Sequence, residues 1–361
     1  NRFMALAIAF SMVFCLSAQK KAANKVTTNI APSQKVTLQS PDKSLQLQIQ
    51  QSEAGELSYL LLKNKKIVIG KSDLGLSGDI SFESDMKIIS TEPTGLIRET
   101  YSAPAEKRHL RTFVANGAKI IVENKLGQQM FIDVRVSDEG AAFRYHYMSD
   151  HQVAVKSEKT SFQLLPGTKG WLHPHADAHT GWAETQPSYE EQYAYAVPAG
   201  TPSPQKAGWS FPALFQSGQN WILITEAGLT PDYVGTRLGQ KSEGGKYTIG
   251  FPQMLETVNA SDPNYVVSKN ILSPWRVIVV GSLADVVESQ MVSDLAAPAD
   301  PKRDFSWVKT GISSWSWGVL HDDATVFPVQ KEFIDYASRM QWEYCLIDAD
   351  WDWKIGYDKI R

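Results

Sequence analysis

The stretch Leu45-Gln46-Leu47-Gln48-Ile49-Gln50 alternates apolar and polar side chains with a strict period of two. Successive residues of an extended strand point to opposite faces of a sheet, so the pattern predicts a strand that buries Leu45, Leu47 and Ile49 together. No helical period is sustained from about residue 34 to residue 280. The alternation therefore favours an antiparallel β-structure with one face packed and the other in water.

The surrounding sequence continues as short strands and turns. Apolar runs typical of strands occupy residues 59–62, 66–69, 131–136, 142–147, 221–226 and 275–280. Lys63-Asn64-Lys65 separates the first two runs and predicts a hairpin. Ser137-Asp138-Glu139-Gly140 carries Asp and Gly where the next pair of runs must turn. We therefore predict one large all-β sandwich domain over residues 19–282.

The pattern changes after Gly281. Residues 283–292 can form a short helix. The composition of a linker follows in Ala296-Ala297-Pro298-Ala299-Asp300-Pro301-Lys302. We assign the linker as a whole to residues 283–304. A predicted strand, amphipathic helix and second strand then occupy residues 311–317, 327–340 and 344–348. This βαβ pattern predicts a second domain that begins in residues 305–361, so the chain is multi-domain.

Composition and charge narrow the class of protein. The 361 residues are 43% hydrophobic and 21% charged, which is ordinary for a globular protein long enough for two or three domains. The formal net charge is −3, and no cluster of positive charge would bind phosphates. Nucleic acid is therefore not an expected partner.

The first residues predict export. The apolar run at residues 3–16 is short for a membrane span and ends near the small residues Ser17 and Ala18, so residues 1–18 are interpreted as a secretory signal. An uncleaved N-terminal anchor is the alternative. Removal of the signal would leave Cys345 as the single cysteine, without an internal disulfide. We expect a periplasmic protein with no stable membrane insertion after cleavage.

Three carboxylates and two indoles alternate in Asp348-Ala349-Asp350-Trp351-Asp352-Trp353, directly after the second predicted strand of the βαβ unit. Barrel enzymes place their working residues at this end of a strand. Indole faces stack on the apolar faces of sugar rings, and carboxylates accept hydrogen bonds from hydroxyl groups. Together with Ser314-Trp315-Ser316-Trp317, the pattern favours a carbohydrate site. The alternative is a set of core indoles beside solvated acids.

A second region rich in candidate ligand residues lies in residues 171–195. His173, His175 and His179 could be a zinc set, but no Cys or well-spaced acid completes it, and a packed loop is the favoured interpretation. Glu190 and Glu191 offer hard oxygen ligands that suit calcium if other carboxylates join them. Motifs of serine acyl transfer, nucleotide binding and zinc peptidases are absent from the sequence.

Several motifs in their order resemble glycoside hydrolase family 97, a family of exported α-glucosidases and α-galactosidases associated with Bacteroidetes. The matching stretches are Ser40-Pro41-Asp42, residues 134–145, residues 208–215, Ser314-Trp315-Ser316-Trp317, Phe333-Ile334-Asp335-Tyr336-Ala337 and Gln341-Trp342-Glu343-Tyr344. The resemblance implies an N-terminal β-super-sandwich, a linker and a catalytic (β/α)8 TIM barrel, of which this truncated chain would hold the first βαβ unit.

The resemblance also implies calcium-assisted cleavage of α-glycosidic bonds in an oligosaccharide substrate. A glutamic acid would protonate the leaving oxygen, and retaining and inverting mechanisms both stay open. The catalytic carboxylates of the family lie on later barrel strands, so we expect them beyond Arg361 and expect residues 1–361 alone to be inactive. The alternative function is a non-catalytic carbohydrate-binding sandwich protein. The oligomeric state is not predicted.

The site residues of the family are assigned to this chain only where its sequence matches the family's motifs. The resemblance implies that Glu190, with Glu191 as a near alternative, ligates calcium. Substrate contacts are implied for a further five residues: Lys206, Trp209, Trp315, Trp317 and Asp348.

Overall fold

The computed structural model describes residues 34–103, 106–178, 192–257, 266–300 and 302–360. Strands of the first half are β1 Lys35–Gln39, β2 Leu45–Gln51, β3 Leu57–Lys63, β4 Lys66–Leu74, β5 Leu76–Gly78, β6 Lys87–Ser102, β7 Leu110–Glu123, β8 Gln129–Ser137 and β9 Gly140–Glu158. They are followed by β10 Ser161–Gln163, β11 Lys169–Pro174, β12 Ala194–Pro198, β13 Trp209–Ser217, β14 Asn220–Ala227, β15 Arg237–Leu238, β16 Lys246–Gly250, β17 Val266–Leu272 and β18 Trp275–Gly281.

The remaining elements lie toward the C-terminus. They are α1 Leu283–Glu288, α2 Met291–Leu295, β19 Ser313–Trp315, α3 Trp317–Leu320, α4 Phe327–Arg339, β20 Tyr344–Leu346, α5 Trp351–Lys354 and α6 Tyr357–Ile360. The described part of the chain is thus mostly β, as the period-two patterning predicts.

All pairings among β1 to β18 in the described residues are antiparallel. One path of hydrogen-bonded neighbours runs β1, β2, β3, β4, β10, β16, β15, β13, β14, β18, β9, β8, β7 and β6. Side chains of β2 and β3 share one buried cluster with side chains of β7, β8 and β9. The two ends of the path therefore pack face to face, as in a sandwich.

Two local predictions are confirmed here. Leu45, Leu47 and Ile49 of β2 are buried in the large cluster, while the intervening glutamines are half-buried. The hairpin between β3 and β4 pairs Lys63 with Lys66, and both turn residues, Asn64 and Lys65, have positive φ angles of 49° and 64°. Two left-handed residues give the turn the twist that a two-residue hairpin requires.

The end of the β-domain differs from the prediction. Residues 283–295, assigned above to a linker, form α1 and α2 and pack on the outer face of the sheet. Met291 and Leu295 are buried there against β18, which includes Val279. The side chain of Asp294 is also buried, with Arg111 of β7 as its partner. Residues 283–295 therefore pack with the β-domain, because the helices complete a second apolar cluster, while a linker after Leu295 stays a prediction.

The C-terminal part forms a small βαβ unit. β19 and β20 pair in parallel with Ser313 opposite Tyr344 and Trp315 opposite Leu346, and α4 connects them along the chain. The strand-helix-strand order confirms the local prediction, while its continuation into a barrel stays a prediction. Within the described ranges, no helix is long and apolar enough to cross a membrane.

Candidate carbohydrate site

The parallel pairing of β19 and β20 brings together two of the predicted site residues. Trp315 is the last residue of β19, and Asp348 follows the end of β20 by two residues. Because parallel strands end at the same edge, the two side chains meet there. Trp315 Nε1 donates a hydrogen bond of 2.9 Å to Asp348 Oδ2.

Trp317 stacks on Trp315. Their ring centroids are 5.2 Å apart and their planes differ by 16°. Trp317 Nε1 donates to Asp322 Oδ1 at 2.8 Å, and the His321 ring lies edge-on at 5.5 Å. Both indole N–H groups are thus oriented by carboxylates. Trp315 keeps 42% of its surface exposed, so this aromatic pair can present a flat apolar face to a ligand.

Asp322 is a further candidate site residue, which the sequence patterns did not predict. It lies five residues after Trp317, and the short turn Asp322–Ala324 returns its carboxylate to the indole. An acid at that spacing carries no distinctive signal in the sequence. We refer to Trp315, Trp317, Asp322 and Asp348 as the strand-end cluster.

The neighbouring aromatic and acidic residues do not all join the strand-end cluster. Trp351 packs at 4.9 Å against the ring of Tyr357, and Trp353 is 70% exposed. Asp350 forms an ion pair of 3.5 Å with Lys354. Of the three alternating carboxylates, Asp348 is the one that the structure joins to the stacked indoles.

Another polar cluster lies at the edge of the sandwich, beside β11 and β13. His175 Nδ1 is 2.9 Å from Ser210 Oγ, and His175 Nε2 is 3.1 Å from Glu256 Oε1. Arg237 also donates to Glu256 Oε1 at 2.9 Å. Burial would raise the pKa of Glu256, but hydrogen bonds from His175 and Arg237 and the Arg237 charge lower the pKa to about 2.

Asp177 fixes the backbone at Lys206 and Ala207, and Lys206 is one of the predicted sugar contacts. Its carboxylate accepts from the backbone N–H of Lys206 at 3.1 Å and of Ala207 at 2.7 Å, and from Gln253 Nε2 at 2.9 Å. Burial opposes the charge, but these donors hold the pKa of Asp177 below its ordinary value. Lys206 itself is exposed. We refer to His175, Asp177, Ser210, Gln253 and Glu256 as the edge cluster.

The structure places Trp209 where it cannot meet a sugar. Its side chain is 1% exposed and belongs to the large core cluster. As the first residue of β13, Trp209 instead packs its indole into the core, which corrects the predicted substrate contact. The motif at residues 208–215 falls almost entirely on β13, where Trp209 and Phe215 are buried in the core.

The predicted metal ligands Glu190 and Glu191 lie outside the described residues, as does His179. His173 and His175 share Ser210, with His173 Nδ1 at 3.3 Å from its hydroxyl. Among the residues that the structure describes, no group of three or more His, Cys, Asp or Glu could hold a metal ion.

Comparison with known proteins gives the family. The profile of the glycosyl-hydrolase 97 N-terminal domain matches residues 38–298, well over half of the chain. The chain belongs to glycoside hydrolase family 97. The matched range includes α1 and α2, in agreement with their packing on the β-domain.

Sequence relatives of this family 97 chain include two α-galactosidases. A probable retaining α-galactosidase from Streptomyces bingchenggensis is 26% identical over 347 residues, which are 96% of this chain and 50% of that protein. A retaining α-galactosidase from Bacteroides thetaiotaomicron is 31% identical over 95 residues, or 24% of this chain and 14% of that protein. The chain thus spans at most about half the length of these relatives.

Solved structures of two enzymes are similar to this chain in fold. A β-arabinopyranosidase is 32% identical with a TM-score of 0.79, and the match covers 91% of this chain and 52% of that one. A family 97 enzyme from Pseudoalteromonas sp. strain K8, in complex with panose, is 22% identical with a TM-score of 0.70. That match covers 88% of this chain and 49% of the enzyme, and it shows likeness of fold.

Proposed function

We propose that the complete protein is an exported glycoside hydrolase that cleaves α-glycosidic bonds of oligosaccharides. The observation that carries this proposal is the strand-end cluster, in which two stacked indoles and two carboxylates lie together in a chain of family 97. The exposed face of Trp315 suits the apolar face of a pyranose ring. Asp348 and Asp322 suit hydroxyl groups, because ionised carboxylates are strong hydrogen-bond acceptors.

A galacto-configured substrate is favoured over a gluco-configured one. The sequence relatives are named as α-galactosidases, and the more similar solved structure is a β-arabinopyranosidase. A β-L-arabinopyranoside has the ring configuration of an α-D-galactopyranoside without its exocyclic carbon. One site that recognises the ring hydroxyl groups could therefore accept both sugars, and the alternative α-glucoside differs in the orientation of its 4-hydroxyl.

The proposed reaction needs an acid and a nucleophile or base, and we expect both carboxylates beyond Arg361. A retaining enzyme holds its two carboxyl groups about 5 Å apart, whereas an inverting enzyme leaves about 6.5–9.5 Å for a water. Both sequence relatives carry the word retaining in their names, which favours the first arrangement. The chain's own contribution is to bind and orient the sugar at Trp315, Asp348 and Lys206.

Calcium remains part of the proposal through Glu190 and Glu191. A calcium ion takes six to eight oxygen ligands at about 2.3–2.6 Å, so other donors must join the two glutamates. When bound, the ion would supply positive charge to orient oxygen ligands or substrate hydroxyl groups. Chelation followed by calcium add-back tests this part separately from hydrolysis, and unchanged activity after chelation would overturn it.

The decisive experiment assays the complete gene product with aryl α-galactosides, aryl β-L-arabinopyranosides and aryl α-glucosides. We expect turnover of the first two and at least about tenfold lower kcat/KM on the third, a difference of about 1.4 kcal/mol in transition-state binding. Proton NMR of the first product anomer distinguishes retention from inversion. No turnover of any of the three would contradict the hydrolase. The alternative, a carbohydrate-binding sandwich protein, would then predict saccharide binding by residues 19–300 alone.

A further inference from the structure

A single buried amide joins the two chain segments that hold the indole pair. Gln330 lies on α4 and is 1% exposed. Its Nε2 donates to Ser316 Oγ at 2.8 Å and to the backbone oxygen of Ala324 at 2.8 Å. Ser316 separates the stacked indoles, and Ala324 ends the turn that carries Asp322.

The donors of this amide settle its orientation. A backbone carbonyl such as that of Ala324 can only accept, so the Nε2 side of Gln330 must face it. Gln330 Oε1 is then buried without a partner among the described residues. A buried acceptor without a partner costs stability. The same amide donates two hydrogen bonds that hold the neighbouring segments, and these bonds offset that cost.

The orientation of Trp317 depends on both ends of this bridge. Its backbone follows Ser316, and its Nε1 donates to Asp322 in the turn that ends at Ala324. A shift of either segment would therefore tilt the Trp317 ring and disturb its stacking on Trp315. Because α4 is a regular helix packed on β19, it can hold both segments in one place.

We propose that Gln330 is a positioning residue for the Trp315 and Trp317 pair, which it holds ready to receive a pyranose ring. This inference rests on the proposed carbohydrate site. Gln330 does not touch the sugar; it lowers the cost of ordering the aromatic surface on binding. Its loss should therefore weaken substrate binding without changing the chemical step.

The test compares Gln330→Met with Ser314→Ala in the complete gene product. Methionine keeps the length and volume of the side chain but donates no hydrogen bond. Ser314 is the matched control, because its buried hydroxyl donates to the α4 carbonyl of Phe333 at 3.1 Å and does not bond to the indole pair or its turn. We expect Gln330→Met to raise KM about tenfold with kcat within about twofold, and Ser314→Ala to leave KM within about twofold.

A double-mutant cycle shows whether the effect passes through the indole pair. In a Trp317→Phe background, Gln330→Met should raise KM much less, because residues that act as a unit are not additive. An equal increase of KM in both backgrounds would overturn the proposal. So would an equal increase of KM in Gln330→Met and in the Ser314→Ala control.

Circular dichroism tests the positioning without any substrate. Two stacked indoles give an exciton couplet in the far ultraviolet, and the difference between wild type and Trp317→Phe isolates the contribution of this pair. We expect Gln330→Met to lose that contribution and Ser314→Ala to keep it. A couplet retained in Gln330→Met overturns the inference, while absence of glycoside turnover by the wild type overturns the proposed function alone.

Discussion

At the scale of single residues, Glu256 shows how neighbours decide the charge of a half-buried acid. Its folded pKa of about 2 lies below its ordinary value of 4.5, because His175 and Arg237 donate to the carboxylate despite its burial. A group with a lowered folded pKa stabilises the fold above its unfolded pKa. That contribution is lost as the pH falls from about 4.5 toward 2.

Glu256→Gln should therefore lower the free energy of unfolding by about 2 kcal/mol at pH 7, because the charged acceptor is removed. The difference from wild type should shrink as the pH falls below 4.5. Urea unfolding of both proteins from pH 7 to pH 3 measures this difference in the free energy of unfolding. The exposed Glu243 supplies the control Glu243→Gln, with little expected change. A difference that stays constant across this range would contradict the assignment.

Asp348→Asn tests whether the negative charge of Asp348 contributes to sugar binding at the strand-end cluster. Asparagine can still accept from Trp315 Nε1, but its neutral oxygen is a weaker acceptor for a sugar hydroxyl. We expect kcat/KM of the complete gene product to fall about tenfold or more, by at least about 1.4 kcal/mol. Asp352→Asn, at an exposed position, is the matched control. Equal kcat/KM values for the two variants would remove Asp348 from the site.

At the scale of elements, a buried ion pair attaches α2 to the sheet. Asp294 accepts from Arg111 Nε at 3.0 Å and from the hydroxyl of Tyr101 at 2.9 Å. Arg111 also donates to Glu139 at 2.6 Å. The helix therefore joins the ends of β6 and β7 to the turn before β9, which explains why a segment with linker composition is part of the domain.

Asp294→Ala should lower the free energy of unfolding by about 3 kcal/mol, because Arg111 stays buried without its main partner. Hydrogen exchange should become faster in α1 and α2 before it changes in the sheet. The control is Asp300→Ala, whose exposed ion pair with Arg303 spans 3.9 Å and should contribute less than about 1 kcal/mol. Unchanged exchange in α2 would show that the apolar contacts alone hold the helix.

At the scale of the whole molecule, the β-domain carries a charged network inside its core. The side chains of Arg276 and Glu158 are fully buried and paired, and Arg276 also donates to Glu226 at 2.6 Å. The hydroxyl of Tyr233 donates to Glu158 Oε1 at 2.7 Å. These bonds link β9, β14, β18 and the segment before β15, so the network helps to define how the sheet closes.

Arg276→Met should destabilise the domain by about 4 kcal/mol, because Glu158 would be left charged and buried without a cation. The double variant Arg276→Met with Glu158→Gln should recover part of that loss, since the uncompensated charge is gone. Denaturant unfolding of the three proteins measures both effects. Arg303→Met, at an exposed position, serves as the control. If Arg276→Met lowered the free energy of unfolding by less than about 1 kcal/mol, a structural role for the Arg276–Glu158 pair would be contradicted.

Local order was determined by the sequence itself. The alternation at β2, the turn at Asn64 and Lys65 and the βαβ order after residue 310 all follow from side-chain periodicity and backbone preference, which act over a few residues. Only the tertiary structure decided that Trp209 is core, that α2 packs on the sheet, that Asp322 accepts from Trp317 and that Gln330 donates to Ser316. Burial and partnership depend on residues distant in the chain, and local patterns do not contain that information.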